Sequence, residues 1–391
     1  MLLELSPDQE LFRETTARYL RERVPPAELR RLRDDPAGFD AEYWRRGADL
    51  GWTSLLVGEA HGGGSISGDG LVDLTLVAHE IGRHAAPGPL GPTNVVAAAL
   101  SHASGSRGSD TFAPVLAELM AGTATAAWCY AEPRPNDRLG AVTLEVRVDE
   151  GAGEVVVNGV KRPVESAARA AHLLVTGRTG AGLTQVLVPA GTPGVSIAPM
   201  QTVDLTRRFD VVTFDQVRIP ADRVVGEIGA ADASADAASA VDRQLQLAVV
   251  IANAEGVGAM QAAFEMTVEW AFDRHSFGRP LASYQALKHR FADMKAWLEA
   301  SHAVADAAAA AVGAGAPEAA ELVSAAKAFI GDHGSELLHD CVQIHGGIGV
   351  TFEHDLHLFL RRHTVDRALH GTPAEHRRRL ADIVERRADA A

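Results

Sequence analysis

Apolar residues change their spacing twice along this chain of 391 residues, and the two changes divide it into three segments. In residues 1–123 they recur at helical spacing, as in AEYWRRGADLG and GLVDLTLVAHEIGRHA. The opening LSPDQELF predicts a helix start, because Ser6 can cap the helix and Gln9 completes a capping box. This first segment is expected to form an N-terminal helical domain.

In residues 124–228 the spacing falls to two. Leu144, Val146 and Val148 alternate with charged neighbours. Glycine-rich turns separate short apolar runs, and prolines stand at the ends of runs, where strands tolerate them. The pattern predicts a small antiparallel β domain in the middle of the chain.

Helical spacing returns in residues 229–391 and lasts to the end. Two very long helical stretches are followed by a helix that ends near HGGIG and by another from about 354 to 370. Long helices with short connections predict a C-terminal four-helix bundle. The predicted fold class is α+β and multidomain, in the order helical domain, β domain, bundle.

Composition narrows the classes of function. The formal net charge of −14 argues against a nucleic-acid binder. No run of about 18 apolar residues and no signal-like N-terminus is seen, so no membrane span is expected and a cytoplasmic protein is the prediction. The chain has only Cys129 and Cys341, which are expected to be small buried apolar residues rather than a disulfide or zinc ligands.

Two motifs of the last segment suit a dinucleotide. Arg274 in DRHSFGRPL carries a planar, permanent charge that matches a pyrophosphate, and Gly346 and Gly347 in VQIHGGIGV let backbone amides approach a ligand. No GxGxxG follows a predicted strand, so a nicotinamide fold is not indicated. The alternative interpretation is structural: Arg274 would form a salt bridge, and Gly346 and Gly347 would only allow the chain to turn.

Together with WCYAEPRPND at 128–137 and ADLGWTSLLVGEAHGGG, these motifs resemble, in order and over essentially the whole chain, those of acyl-CoA dehydrogenases. The number of residues from VQIHGGIGV to HGT also equals the family's spacing to its YEGT element. The resemblance implies FAD shared between subunits, and hence a dimer or tetramer, built from this chain alone or with a paralogous subunit. The adenine half would lie on Arg274, Ser276, Phe277, Gln343, Gly346 and Gly347. The flavin half would lie in a neighbour's β domain, at the positions of Tyr130, Ala131, Pro163 and Glu165, and Thr372 of the bundle would be a further cofactor-binding residue.

The implied reaction is α,β-dehydrogenation of an acyl-CoA or carrier-bound acyl thioester, in which a carboxylate removes the α-proton and a hydride passes to the flavin. Neither of the family's glutamate positions carries a carboxylate here, since they fall on His370 and near Ala248. His370 is the candidate base, because a neutral imidazole can accept a proton. The alternative is that His370 is a substituted position in a subunit whose own active site is inactive. Glu255 is a weaker candidate, for which a buried structural glutamate is the alternative.

The flavin positions also depart from the family. Pro163, Val164 and Glu165 replace tryptophan, isoleucine and threonine, and an ionised Glu165 would disfavour the anionic reduced flavin unless it points elsewhere. Ala131 replaces another threonine, and bulkier residues at 134–137 suggest an altered acyl site.

Two alternatives to a catalytic dehydrogenase remain. The chain could be a non-catalytic partner subunit of a heteromeric dehydrogenase, or a flavin oxidase or monooxygenase of the same fold. An electron-transfer flavoprotein is the predicted acceptor for a dehydrogenase. The pair His354 and His357 is a weak metal signal, and solvated helix polarity is the preferred interpretation, so no metal is predicted.

Overall fold

A computed structural model describes residues 4–107, 111–133, 139–229 and 240–389 of the chain. The predicted order of helices, strands and helices is confirmed. Ser6 caps the first helix as predicted: its Oγ accepts from the Gln9 backbone N–H at 3.3 Å, and Gln9 Oε1 accepts from the Ser6 N–H at 3.1 Å. The helices of the first segment are α1 (Pro7–Arg23), α2 (Pro26–Leu32), α3 (Ala41–Asp49), α4 (Gly70–Arg83), α5 (Leu90–Arg107) and α6 (Ala113–Met120).

The middle segment is a twisted sheet with its own core, in which the strands follow the order β6-β7-β3-β2-β4-β5-β8, with β1 beside β4. The strands are β1 (Ala126–Cys129), β2 (Glu145–Asp149), β3 (Glu154–Glu165), β4 (His172–Thr179), β5 (Gly182–Pro189), β6 (Val195–Met200), β7 (Phe209–Pro220) and β8 (Val224–Val225).

The prediction of a purely antiparallel β domain was wrong, because the sheet is mixed. β1 runs parallel to β4, pairing Ala126 with His172 and Cys129 with Val175, and β2 meets β4 in a parallel pairing of Glu145 with Arg178. The other pairs are antiparallel. Alternation of apolar and polar residues predicts that a strand has two faces but carries no information on the direction of its neighbour.

The last segment is a helical bundle around α7, with a short hairpin between its first two helices. Its elements are α7 (Ala240–Asp273), β9 (His275–Ser276), β10 (Arg279–Pro280), α8 (Gln285–Gly313), α9 (Ala319–His345), α10 (Leu356–Ala368) and α11 (Pro373–Asp389). In the described part of the chain, α7 alone is long and apolar enough to cross a membrane. It lies inside the protein, however, with 89% of its most apolar window buried, so it is a core helix.

The N-terminal helices and the bundle share one hydrophobic core. α4 lies directly against α7, because a side chain at Gly82 would meet the Glu255 carbonyl oxygen at 1.9 Å and one at Gly258 would meet the His79 carbonyl oxygen at 2.0 Å. Backbones can approach this closely only where a Cβ is missing. The sheet thus meets a single helical body, and the domain boundaries at 123/124 and 228/229 stay a prediction.

Candidate functional site

The hairpin of β9 and β10 presents an aromatic ring to solvent in an unfavourable backbone conformation. Phe277 and Gly278 form its tip with φ values of 48° and 78°, and Phe277 is 97% exposed. A two-residue turn with both φ positive favours Asn-Gly, and a bulky residue there is uncommon. Such a residue points to a functional contact, because neither burial nor local geometry accounts for it.

The glycine loop lies after α9 and leaves its backbone open. Gly346 has φ 67° and ψ −140°, a conformation that a side chain would resist. A Cβ built on Gly346 or Gly347 would have no atom within 4 Å, and Gln343 is exposed one turn earlier. The amides of this loop are therefore accessible to a ligand.

Arg274 joins the hairpin to the glycine loop. Its backbone N–H continues α7 by donating to Trp270 O at 2.8 Å, and its guanidinium lies 6.0 Å from the centre of the Trp270 ring. Trp270 in turn stacks on His345, the last residue of α9. No carboxylate among the described residues pairs with Arg274, so its charge is free for an anionic ligand. The structure thus brings the predicted adenine-side residues together at one end of the bundle, here called the nucleotide end: Arg274, Ser276, Phe277, Gln343, Gly346 and Gly347.

A second group of predicted residues meets where the sheet faces the bundle, here called the ring end: Tyr130, Ala131, Pro163, Glu165, His370 and Thr372. The rings of Trp128 and Tyr130 stack with their centres 4.7 Å apart, and the His370 ring lies 6.1 Å from that of Trp128. Ala131 O accepts from the Arg162 N–H at 2.9 Å, which sets the motif beside Pro163. Residues 134–137, predicted to alter the acyl site, lie outside the described residues.

A buried ion pair holds the ring-end segment in place. Lys161 Nζ donates to Glu132 Oε1 at 2.8 Å and to Tyr130 O at 2.9 Å. The Glu132 carboxylate also accepts from the backbone N–H groups of Thr143 and Leu144. Burial raises the pKa of Glu132 while Lys161 lowers it, and the net shift is downward. The pair gives Glu132 of WCYAEPRPND a structural role, which spacing alone did not reveal.

Glu165 does not stand free at the ring end. Its carboxylate is held by both arms of Arg207, at 2.8 and 2.6 Å, and Arg207 Nη1 donates to Asp366 Oδ1 at 2.5 Å. All three side chains are buried. Glu165 therefore points to Arg207 and does not stand as an isolated charge at the ring end.

Glu255 belongs to the same buried network. Its Oε1 accepts from Arg362, which also donates to Asp204 Oδ2 at 2.6 Å, and its Oε2 lies 3.8 Å from Arg207. This is the structural role named above as the alternative to a base. Arg362 further reaches the carbonyls of Ala85 and Ala86, so the network ties the sheet, the bundle and the α4–α5 loop together.

The network contains more acids than bases. The acids are Glu165, Asp204, Glu255 and Asp366, and the bases are Arg207, Arg362 and Lys327. Burial and the nearby Glu255 raise the pKa of Asp366 to about 8, and burial lowers the pKa of Lys327 to about 8. One proton is thus retained in the network near neutral pH, which balances the buried charge.

His370 adopts a left-handed conformation with φ 58° directly after α10. Burial, together with the positive charges of Lys327 and Arg207, lowers the pKa of His370 to about 3. Its carbonyl accepts from His376 Nε2–H at 2.9 Å. Thr372, two residues on, caps α11: its Oγ1 accepts from the Glu375 backbone N–H at 3.4 Å, and its own N–H and hydroxyl donate to Glu375 Oε2 at 2.8 Å. The imidazole is therefore neutral and only weakly basic.

A cavity of about 2190 Å³ opens between the helices and the sheet. Small side chains of α5 and apolar side chains of α7 line it, and arginines of α11 stand at one side: Ala98, Ala99, Ala103, Leu245, Arg378 and Arg379. Tyr130 also lines it, whereas Trp128 and His370 do not. The cavity can hold an extended, largely apolar ligand beside the ring end.

The FAD predicted from the sequence fits the two ends unequally. At the nucleotide end, the open Gly346–Gly347 backbone, the exposed Phe277 ring and the free Arg274 charge suit an adenosine pyrophosphate. At the ring end, Glu165 and Arg207 satisfy each other's charges and Pro163 offers no aromatic surface. The described residues therefore fit the nucleotide half of FAD.

These features define a class of protein: a helical, β and helical chain with an open end that suits a nucleotide and a large cavity of mixed polarity. Comparison with known proteins gives the family. Residues 6–117 match the acyl-CoA dehydrogenase N-terminal domain and residues 240–384 match the acyl-CoA dehydrogenase C-terminal domain. The chain belongs to the acyl-CoA dehydrogenase family.

Relatives agree over almost the full length. The acyl-CoA dehydrogenase IpdE2 of Mycobacterium tuberculosis is 29% identical, with 96% of this chain and 97% of that protein covered. Among solved structures, the Tcur3481–Tcur3483 steroid acyl-CoA dehydrogenase is 25% identical with a TM-score of 0.85, covering 97% and 98% of the two chains. The ChsE4–ChsE5 complex from Mycobacterium tuberculosis is 23% identical with a TM-score of 0.85, covering 98% and 99%, and supports the fold alone.

The protein is an FAD-dependent oxidoreductase that acts on the CH–CH bond of acyl-CoA thioesters. The predicted family, fold class, cofactor and reaction are confirmed. Dehydrogenation is also favoured over the oxidase and monooxygenase alternatives, because relatives that match over about nine-tenths of this chain or more, such as IpdE2 and FadE27, are acyl-CoA dehydrogenases. The roles of single residues stay predictions.

Proposed function

We propose that this chain dehydrogenates acyl-CoA as a subunit of an oligomer in which its nucleotide end holds the adenine half of FAD. The flavin ring then lies in the β domain of the neighbouring subunit. The observation that carries the proposal is Phe277, a 97% exposed ring at a left-handed turn, together with the open Gly346–Gly347 backbone at the same end of the bundle. Such groups are costly in an isolated chain and become useful when a second molecule covers them.

The acyl group is assigned to the cavity of about 2190 Å³. Small-molecule sites usually measure roughly 300–1,000 Å³, so this cavity suits a bulky acyl group together with part of the CoA. The small side chains Ala98, Ala99 and Ala103 leave this width. A relative of known structure is a steroid acyl-CoA dehydrogenase, which supports a polycyclic acyl-CoA as the substrate. A cytoplasmic location and an electron-transfer flavoprotein as acceptor stay predictions.

His370 remains the candidate base of this chain, but its surroundings make it a poor one. A general base works best with a pKa near the working pH, whereas the pKa of His370 is lowered to about 3. His370 is also not among the residues that line the cavity. Removal of an α-proton by His370 is therefore expected to be slow.

One observation favours a second candidate, in which this chain is the non-catalytic subunit of a heteromeric acyl-CoA dehydrogenase. The Glu165–Arg207–Asp366 network occupies the ring end with paired charges, so the charged groups of Glu165 and Arg207 are already used within the protein and are not available to a flavin ring. In this arrangement the chain lends its nucleotide end to a catalytic paralogue. A heteromeric complex is known for one structural neighbour, ChsE4–ChsE5.

Native mass spectrometry of the purified protein, with and without co-expressed paralogues, separates the two candidates. A catalytic homo-oligomer is expected to carry one FAD per chain and to lose flavin absorbance when an acyl-CoA is added. A partner subunit is expected to be colourless alone and to give one FAD for each pair of unlike chains. A monomer that binds no FAD in either preparation would contradict both.

In the catalytic case, His370→Ala tests the base. Flavin reduction by acyl-CoA is expected to slow, but by less than the roughly 10²–10⁴ that an efficient general base contributes, because the pKa of His370 lies far below the working pH. His363→Ala is the control for general effects of removing a histidine, because His363 is buried in the core on α10, the helix that precedes His370. An unchanged reduction rate in the His370 variant would exclude it as the base.

A further inference from the structure

Three side chains form a layered stack at the nucleotide end. The Arg274 guanidinium lies 6.0 Å from the centre of the Trp270 ring, and Trp270 stacks on His345 with ring centres 5.2 Å apart and planes 17° apart. Trp270 belongs to the last turn of α7, and His345 is the last residue of α9. The stack therefore links the predicted pyrophosphate-binding arginine to the residue that precedes the glycine loop.

The inner layer of the stack is fixed. His345 is 4% exposed, its Nδ1–H donates to Cys341 O at 2.8 Å, and the His354 ring meets it edge-on at 4.6 Å. On the loop side, a Cβ on Gly349 would lie 2.8 Å from His345 Cβ, so the loop turns tightly over this residue. The position of the His345 ring and the path of the loop are thus set together.

We propose that Trp270 and His345 are positioning residues for FAD binding: their stack fixes the direction of Arg274 relative to the Gly346–Gly347 amides. The proposal rests on the proposed function of the nucleotide end. A free arginine side chain loses rotamer entropy when it is immobilised. A guanidinium that already lies on a fixed ring loses less of it on binding, which is how preorganisation raises affinity.

The chain contains a matched control for this arrangement. On α8 and α9, Arg290 lies 5.0 Å from the centre of the Trp297 ring, and Trp297 stacks on His333 at 5.6 Å and 24°. Arg290 there pairs with Asp340 at 2.7 Å, so its charge is already used within the protein. The same three residue types are thus present once with a free arginine and once with a paired one.

Isothermal titration of the flavin-depleted protein, in its full oligomeric form, with FAD and separately with ADP tests the role. Trp270→Leu is expected to weaken both ligands about five-fold, in the range of cation–π and ordering effects. Trp270→Phe is expected to keep the affinity within about two-fold because it retains a ring. Trp297→Leu is expected to leave both affinities unchanged.

A double-mutant cycle distinguishes positioning from a general structural role. In an Arg274→Ala background, Trp270→Leu is expected to cause almost no further loss, because the residue it positions is gone. If Trp270→Leu does not fold, His345→Leu removes the inner layer instead, with the same expected coupling. Equal losses with and without Arg274, or an equal loss in the Trp297 variant, would overturn the inference.

Failure of the proposed function gives a different result. If Arg274→Ala itself leaves FAD and ADP affinity unchanged, the nucleotide end is not the binding site, and both proposals fall. If Arg274→Ala weakens binding but Trp270→Leu does not, only the positioning role is lost.

Discussion

The nucleotide end and the ring end of this chain are built in opposite ways. At the nucleotide end, Phe277 is almost wholly exposed, Arg274 has no acidic partner in the described part of the chain, and Gly346 faces open space. At the ring end, Glu165 and Arg207 are buried and hold each other. The exposed and unpaired groups of the nucleotide end are available to bind a ligand. The paired charges of the ring end instead stabilise the fold.

The cost of burying ions explains the contrast. A buried charge is tolerated only with good partners, and removing one partner leaves the other exposed to the full desolvation penalty. The ring-end network meets this condition by drawing partners from β3, the loop before β7, α7, α9 and α10. It therefore fastens the sheet to the bundle, and four changes test whether the two ends are independent.

The largest effect is expected from Arg362→Met. The change leaves Glu255 and Asp204 buried without their main cation, which is expected to lower the free energy of unfolding by about 3–5 kcal/mol. Urea denaturation measures it. Arg361→Met, on the adjacent and more exposed residue, is the control and is expected to change stability by less than about 1 kcal/mol. Equal stability of the two variants would contradict a structural role of the network.

The next effect concerns ligand binding alone. Arg274→Ala is expected to weaken FAD binding about 100-fold, since a charge-assisted contact to a phosphate is lost. The stability of the flavin-free protein is expected to stay the same, because Arg274 is exposed and unpaired among the described residues. Titration and thermal unfolding check the two parts. Arg290→Ala is the control, and a similar loss of affinity there would contradict a specific role.

Acid is expected to weaken the ring end. Burial and the nearby Lys327 and Arg379 lower the pKa of His376 to about 4, from 6.5. A lowered histidine pKa stabilises the fold above pH 6.5, and this contribution is lost as the pH falls from 6.5 towards 4. At about pH 5 the loss in the free energy of unfolding amounts to roughly 2 kcal/mol, at 1.36 kcal/mol for each pH unit below 6.5.

His376→Gln tests this prediction through urea denaturation at several pH values. The variant is expected to be less stable at pH 7 but to lose less stability on acidification, because it cannot take up this proton. His275→Gln, on the exposed hairpin, is the control. A variant that follows the parent's pH dependence would exclude His376 as a source of acid sensitivity.

The smallest effect is a gain of stability. Phe277→Asn places a residue that tolerates the left-handed region at the hairpin tip, and is expected to stabilise the flavin-free protein by about 0.5–1 kcal/mol. FAD affinity is expected to fall several-fold at the same time. Phe272→Asn makes the same exchange at an exposed helical position and should give no such gain. A stabilised variant with unchanged affinity would show that the Phe277 ring does not contact the cofactor.

The two ends also differ in how far sequence predicts them. The nucleotide end was predictable because its parts are local: Arg274, Ser276 and Phe277 occupy one hairpin, and the glycines occupy one loop. The ring-end network was not, because Arg207 lies 42 residues from Glu165 and 159 residues from Asp366. No spacing rule connects such positions, and only the fold brings them together.

Two other features were hidden for related reasons. The parallel pairing of β1 with β4 leaves the same alternation of residues as an antiparallel pairing. The stack of Trp270 on His345 joins two helices that are far apart in sequence. A sequence signal for it did exist, since the tryptophan stands one turn before the arginine and the histidine directly before the glycine pair.

A cryo-electron microscopy map of the purified oligomer with its flavin tests the central claim most directly. The account predicts that the adenosine pyrophosphate lies against Arg274, Phe277 and the Gly346–Gly347 loop of one chain, while the flavin ring lies in the sheet of its neighbour. A flavin ring and a nucleotide tail held by one and the same chain would contradict it.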